Sequence, residues 1–174
     1  MTRLVLICGL PSAGKTTLAR RLGPALGAVQ LRPDERMSDL GLDGHDEAAR
    51  ERVERLQRTL AQDLLRLGFS VVLESGFWAK AERDSCRKRA REIGIEVELR
   101  YLAVNVDDLW ARIITRNGAL PDATYEFTRE QLESWVPYFQ APERSELALF
   151  DPPTRNVRRA ERAALTRPPG GRLP

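Results

Sequence analysis

The sequence predicts an α/β fold, in which a parallel sheet of four or five strands carries helices on both faces. Short apolar runs alternate with amphipathic segments along most of the chain. A Gly-rich turn joins the first apolar run to the first amphipathic segment. Strand–helix alternation of this kind is typical of parallel sheets, because a helix carries the chain back to the start of each next strand.

The hydrophobic pattern bounds four strands, since each is a short apolar or alternating run ended by a turn residue. They are predicted at residues 4–8, 28–31, 69–73 and 97–104. A fifth strand is expected near 147–150, just before Asp151-Pro152-Pro153.

Helices are predicted between these strands from apolar residues at helical spacing. They cover residues 15–26, about 49–67, 79–93, a segment from 106, and a segment opened by the capping-box pair Thr128 and Gln131. In the long helix the expected buried stripe is Ala49, Val53, Leu56, Leu60, Leu64 and Leu67.

Composition places these elements in one domain, residues 1–151, followed by a Pro- and Arg-rich tail, 152–174, that is expected to be partly disordered. Two isolated cysteines form neither a disulfide framework nor a zinc site, which indicates a reducing, cytoplasmic setting. No segment approaches the 18 to 20 apolar residues of a membrane span. The net charge of +3 comes largely from the tail, so a dedicated nucleic-acid surface is not favoured.

The turn after the first strand matches the pattern G-x-x-x-x-G-K-[ST] without a gap. Its glycines let the backbone approach phosphate oxygens, and its N–H groups form an anion nest at the start of a helix. Lys15 is expected to reach the β- and γ-phosphates and the Thr16 hydroxyl to ligate Mg²⁺. We therefore predict that ATP with Mg²⁺ binds here, through Gly9, Leu10, Pro11, Ser12, Ala13, Gly14, Lys15, Thr16 and Thr17.

Two acids follow strands of the predicted sheet, at the edge where ligands bind in such folds. Asp34 comes after the second strand and is predicted to accept or orient the proton of an acceptor hydroxyl. The alternative for Asp34 is a turn or helix cap after Pro33, with Glu35 as the next candidate for the catalytic role. Glu74 ends the third strand and is predicted to hold Mg²⁺ directly or through water; the alternative is a charge that only reaches solvent.

Two arginines, Arg112 and Arg116, lie four residues apart on one predicted helix face. Guanidinium groups at this spacing can close over phosphates as a lid. A solvated basic face is the alternative interpretation.

The order of these motifs resembles the AAA_33-type ATP-binding proteins, small P-loop kinases that include polynucleotide 5′-hydroxyl kinases and chloramphenicol phosphotransferase-like enzymes. The resemblance covers about residues 1–151 and implies a three-layer P-loop NTPase fold with a small helical lid. It implies that Asp34 has the place of the catalytic aspartate and that Arg116 is near the lid arginine. The polynucleotide kinases carry an arginine three residues after that aspartate, where this chain has Met37.

The expected function is transfer of the γ-phosphoryl group of ATP to a hydroxyl of a small molecule or a nucleic-acid 5′ end, and a small molecule is favoured. Two other functions stay open. One is a nucleotide-dependent switch or regulatory ATPase, and the other is a zeta-toxin-like kinase of a nucleotide sugar.

Overall fold

A computed structural model describes residues 2–117 and 127–154 of the chain. Four parallel strands form its sheet in the order β2-β3-β1-β4, with no antiparallel pairing between them. The strands are β1 Arg3–Cys8, β2 Val29–Leu31, β3 Val71–Glu74 and β4 Glu96–Tyr101. The predicted α/β class and parallel sheet are confirmed, with the predicted strand ends displaced by at most three residues.

The helices lie between and after the strands. They are α1 Lys15–Leu26, α2 Pro33–Asp39, α3 Glu47–Arg66, α4 Lys80–Glu92, α5 Val106–Asn117, α6 Arg129–Trp135 and α7 Arg144–Leu147, with a short 3-10 helix at Val136–Tyr138. Within these described ranges no helix combines the length and apolar character needed to cross a membrane.

The molecule has three layers, with the sheet between helices on its two faces. The central strand β1 contacts both helix layers, because side chains of a strand alternate between the two faces of the sheet. Leu4 and Leu6 pack on one face in the same cluster as residues of α3 and α4. Val5 and Ile7 pack on the other face with Ala19 and Leu22 of α1. Every residue of β1 is buried, as expected for a central parallel strand covered on both sides.

The predicted buried stripe of α3 is confirmed at Ala49 and Val53 and in part at Leu64, which packs against the core, but it is wrong at Leu56, Leu60 and Leu67. The helix buries Ala49, Val53, Gln57, Ala61 and Leu65. Leu56 and Leu67 are 69% and 73% exposed. Two sets of residues at helical spacing run along this helix, one with the small side chains of Ala49 and Ala61 and one with leucines such as Leu56. The set with the alanines packs inward. Gln57 interrupts the buried stripe with a polar residue, which hid it from a hydrophobicity pattern.

The fifth strand predicted near 147–150 does not form. Helix α7 ends there, and Asp151 then closes the edge of β4 instead of a strand. The Asp151 amide donates to the Val97 carbonyl at 2.8 Å, and the Val97 amide donates to Asp151 Oδ2 at 2.7 Å. Pro152 and Pro153 have no N–H groups, so the chain cannot continue a hydrogen-bonded ladder. Most of the predicted tail, 155–174, lies outside the described residues.

Candidate active site

A cleft of about 1210 Å³ opens at the carboxyl ends of the strands. It is lined by the turn after β1, the start of α1, helix α2 with the loop that follows it, the first half of α3, the end of β3 with the segment after it, and parts of α5 and α6. Parallel sheets bind ligands at this edge, because loops from several strands meet there beside helix N-termini. Of the predicted site residues, Lys15, Thr16, Asp34, Glu74, Arg112 and Arg116 all line it.

The turn between β1 and α1 has the backbone conformation that its glycines permit. Gly9 and Gly14 have φ angles of 154° and 98°, and Ser12 has a φ of 60°. A Cβ atom at Gly9 would lie 3.1 Å from the Leu102 carbonyl oxygen, so a larger residue would collide with main chain. The turn leads directly into the N-terminus of α1 at Lys15, where unpaired helix N–H groups favour an anion.

Not every residue of the motif presents its side chain to the cleft. Leu10 and Ala13 are buried in a cluster with Leu109, Ile113 and Leu132 of α5 and α6. Their side chains anchor the turn to these helices, while Pro11, Ser12, Gly14, Lys15, Thr16 and Thr17 line the cleft.

The Lys15 ammonium folds back onto its own turn. Its Nζ donates to the carbonyl oxygens of Gly9 at 3.1 Å and Leu10 at 3.0 Å. Burial lowers the pKa of this group, and the carboxylates of Asp34 and Glu74 act in the opposite direction. The turn therefore holds a cation whose desolvation is only partly compensated, a state that a polyphosphate would stabilise.

Thr16 and Glu74 meet at the floor of the cleft. The Thr16 hydroxyl donates to Glu74 Oε1 at 2.7 Å. The other carboxylate oxygen, Oε2, is buried and has no hydrogen-bond partner among the residues that the structure describes. Glu74 is only 5% exposed, and its burial raises the pKa of the carboxyl despite the Thr16 hydrogen bond and the charge of Lys15. The floor thus carries an unsatisfied oxygen beside a hydroxyl, directly at the motif's lysine-threonine pair.

Asp34 lies in the first turn of α2, where Pro33 is the first helical residue. Its exposed carboxylate accepts from Arg50 Nη1 at 2.5 Å, and Arg50 Nη2 donates to the Gly44 carbonyl at 3.2 Å. Arg50 comes from α3 and was missed by the sequence analysis. Met37, the residue that replaces an arginine of the polynucleotide kinases, is buried against Ala49 and Val53.

The two arginines of α5 reach the cleft from its opposite side. Arg112 Nη1 donates to the Ala13 carbonyl at 3.2 Å, so it contacts the phosphate-binding turn itself. The Arg116 guanidinium lies over the Phe127 ring, 4.9 Å from its centroid. Residues 118–126, which join α5 to Phe127, lie outside the described part of the chain, and the predicted lid closure stays a prediction.

A buried ion pair fixes the segment after β3, which forms one wall of the cleft. Arg83 of α4 is fully buried and donates to both carboxylate oxygens of Glu146, at 2.6 and 2.9 Å. Its Nη1 also donates to the Phe77 carbonyl at 2.7 Å. Phe77 has a φ of 46°, so this pair fixes a strained backbone that presents Trp78 to the cleft. No sequence pattern distinguished Arg83 from the other charges of α4.

Comparison with known proteins identifies the family. The sequence profile of AAA_33, described as an AAA domain, matches residues 4–142. An uncharacterized protein of Mycobacterium tuberculosis (strain ATCC 25618 / H37Rv) is 34% identical over 139 residues. The match covers 71% of this chain but 28% of that protein, so the chain spans less than a third of the length of the curated relatives that it matches.

Solved structures share the fold at low identity. A candidate kinase of Chloroflexus aurantiacus J-10-fl superposes with a TM-score of 0.65 at 21% identity, over 82% of each chain. A gluconokinase from Sinorhizobium meliloti 1021 gives a TM-score of 0.59 at 14% identity, over 94% of each chain. These likenesses show that the chain shares the α/β fold of these two proteins.

Proposed function

Starting from the fact that this chain belongs to the AAA_33 family, we propose that it is an ATP-dependent phosphotransferase acting on a hydroxyl group. One observation carries the proposal: Lys15, the Thr16–Glu74 pair and Asp34 line a single cleft. A phosphate-binding turn alone would serve any nucleotide-binding protein. A carboxylate in the same cleft, near enough for its charge to act on Lys15, is what a kinase needs to orient an acceptor.

The nucleotide half of the cleft suits the triphosphate of ATP. The amides at the start of α1 would donate to phosphate oxygens, and Lys15, which now donates to the Gly9 and Leu10 carbonyls, would turn to the β- and γ-phosphates. Arg112 and Arg116 add positive charge where charge develops on the transferring group.

The floor of the cleft fits Mg²⁺. The Thr16 hydroxyl and the partnerless Oε2 of Glu74 are hard oxygen ligands, which Mg²⁺ prefers. Among the described residues no group of three or more His, Cys, Asp or Glu side chains is arranged to hold a metal. Mg²⁺ in phosphoryl-transfer sites takes one or two protein ligands and completes its shell with phosphates and water. Bound there, the ion would neutralise charge on the phosphates.

Asp34 supplies the acceptor chemistry. Its carboxylate is exposed to the cleft and is fixed in orientation by Arg50. A hydroxyl bound beside it would donate its proton to Asp34 as the oxygen attacks the γ-phosphorus. The gluconokinase named above acts on a hydroxyl compound, and this chain shares its fold.

Asp34→Asn tests the proposal. The amide keeps the shape and can still accept from Arg50 but cannot take a proton, so phosphoryl transfer should fall about 10²- to 10⁴-fold. The affinity for ATP, measured by calorimetry, should change less than about threefold, because the Asp34 side chain is paired with Arg50 and not with the turn after β1.

The control is Asp63→Asn, which changes an exposed aspartate paired with Arg66 outside the cleft. It should leave transfer unchanged. If Asp34→Asn keeps full turnover of ATP, the aspartate is not the proton acceptor, and a regulatory ATPase becomes the better function.

A further inference from the structure

The charges that line the cleft are separated into two regions. The nucleotide half is formed by the turn after β1, α1, α5 and α6. It carries Lys15, Arg20, Arg112 and Arg116, and no carboxylate among its lining residues. This half matches a polyanion, as expected for ATP.

The other region, here called the acceptor half, is formed by the lining residues within 32–54 and 74–82. It carries eight carboxylates against Arg32, Arg50 and His45. Two arginines outside the lining, Arg36 and Arg58, also pair with acids of this half. Glu74 is one of the eight and is assigned above to Mg²⁺, but the other seven still exceed these four arginines by three, so the acceptor half is negative.

One of the carboxylates in the acceptor half is largely desolvated. Burial raises the pKa of the Glu54 carboxyl, and the Arg58 charge opposes this shift. Glu82 lies near Glu54, and its own carboxylate caps the start of α4 by accepting from the Ala79 amide. Like charges at close range in a partly dry site are costly, and a bound cation would relieve that cost.

Aromatic rings complete this surface. Trp78 lines the acceptor half, and its ring lies 6.1 Å from that of Trp135 in an edge arrangement. Indole rings beside carboxylates are a recurrent combination for binding protonated amines, since the ring quadrupole and the carboxylate both attract a cation.

We propose that the acceptor is an amino alcohol, a hydroxyl compound that carries at least one protonated amine and no phosphate. The inference rests on the proposed kinase function and names its substrate class. Glu54 and Glu82 attract the ammonium group, which directs the hydroxyl toward Asp34. A 5′-hydroxyl nucleic acid or a sugar phosphate would bring its own negative charge into the acceptor half and be repelled.

The reaction is balanced without a further reactant. The acceptor oxygen forms a bond to the γ-phosphorus of ATP, and the bond from that phosphorus to the β,γ-bridging oxygen breaks. The hydroxyl proton passes to Asp34 and then to water. The products are ADP and a phosphate monoester that keeps its amine.

Binding is measured first, by calorimetry on the full chain with Mg²⁺ and a non-hydrolysable ATP analogue. The amine-bearing probes are glucosamine, neamine and kanamycin. Glucose and maltotriose are the neutral probes, and glucose 6-phosphate and a 5′-hydroxyl oligothymidylate are the anionic ones. At least one amine-bearing probe should bind ten times more tightly than any neutral or anionic probe, and its binding should weaken as salt is raised. Transfer from labelled ATP to the same probes is measured second.

Charge variants locate the effect. Glu82→Gln and Glu54→Gln should each weaken the binding of the amine-bearing probe about tenfold, because each removes a carboxylate that attracts the ammonium group. The affinity for neutral probes should not change. The matched control is Glu92→Gln, an exposed acid on the same helix as Glu82 but outside the cleft. Glu82→Gln retains an oxygen for the Ala79 amide, and thermal unfolding checks that both variants fold.

The outcomes separate the two proposals. Tighter binding of a neutral or anionic probe, or no binding of any amine-bearing probe, overturns the amino-alcohol inference whether or not phosphate is transferred. Transfer to a neutral or anionic probe would overturn it while leaving the kinase function standing. Failure of ATP to bind, or binding of an amine with no transfer to any probe, counts against the kinase function instead.

Discussion

The Glu74 carboxylate both destabilises the folded protein and is the proposed ligand of Mg²⁺. Its carboxylate is almost fully buried, accepts one hydrogen bond from Thr16 and leaves Oε2 without a partner. A buried carboxylate in this condition destabilises the folded chain, because the unfolded chain hydrates the charge fully. Such residues persist where a ligand completes the coordination, and Mg²⁺ is the ligand that this oxygen set fits.

Glu74→Gln should therefore raise the free energy of unfolding while it weakens the binding of Mg·ATP. The folded-state pKa is raised, so the destabilisation is fully present above that pKa and disappears as pH falls through it toward the unfolded value. At pH 7 the variant should unfold with a free energy about 1 kcal/mol higher than the wild type, and this difference should narrow as pH falls through the raised pKa of Glu74 and be gone below about pH 4.5. Urea unfolding across pH 4 to 8 measures it.

The same variant should bind Mg·ATP at least about tenfold more weakly at pH 7, because the amide is a poor magnesium ligand. The wild-type advantage should narrow as pH falls through the raised pKa of Glu74. Protonation of ATP itself affects both proteins, so the ratio of their affinities isolates this residue. Glu51→Gln, an exposed acid of α3, is the control. Equal affinities at pH 7 would remove Glu74 from the metal site.

At the residue level, the sequence predicted the parts of the site that belong to contiguous motifs. Lys15 and Thr16 are fixed by a local pattern, and Asp34 and Glu74 follow strands that could be recognised. Arg50 could not be found in this way, because its contact with Asp34 joins residues 16 positions apart through the packing of α2 on α3.

At the level of elements, the sequence predicted the central strands and α1 well, because their apolar runs are continuous and end at glycines. It failed at part of the buried face of α3 and at α7, for a physical reason. Each of these segments has apolar residues that satisfy more than one arrangement, and the sheet selects among them. Leu56 remains exposed because alanines pack closer, and residues 147–150 are excluded from the sheet because Asp151 already closes the β4 edge.

Helix α7 is held by the Arg83–Glu146 pair more than by apolar packing of its own, since Glu146 is its buried residue. Glu146→Ala should lower the free energy of unfolding by about 3–5 kcal/mol, because it leaves the fully buried Arg83 guanidinium without its counter-charge. Chemical denaturation measures the loss. The double variant Arg83→Met, Glu146→Leu should recover a large part of it, since no buried charge remains.

Glu143→Ala is the matched control for this element. Glu143 lies at the start of α7, is exposed, and makes no side-chain capping hydrogen bond. Its replacement should change the free energy of unfolding by less than about 0.5 kcal/mol. If Glu146→Ala were as mild as this control, the ion pair would not hold the wall of the cleft.

On the scale of the whole molecule, the two regions of the cleft lining carry opposite charges. The ligand-free protein is destabilised by the burial of charged groups in both regions. Burial lowers the pKa of Lys15 on one side and raises that of Glu74 on the other. Each ligand that neutralises one region should therefore stabilise the entire cooperative unit and not only the loop that it touches.

Mg·ATP at about 100 times its dissociation constant should add about 2.7 kcal/mol to the free energy of unfolding. For a domain of this size that corresponds to a rise in Tm of about 5–10 °C, measured by thermal unfolding. Lys15→Met should abolish the rise. It should leave the Tm of the ligand-free protein equal or higher, because a group with a lowered folded-state pKa favours the unfolded chain while it is charged. Lys88→Met, an exposed lysine of α4, should keep the full rise. An undiminished rise in Lys15→Met would mean that ATP binds elsewhere on the molecule, and the turn after β1 would then be only a connection between strand and helix.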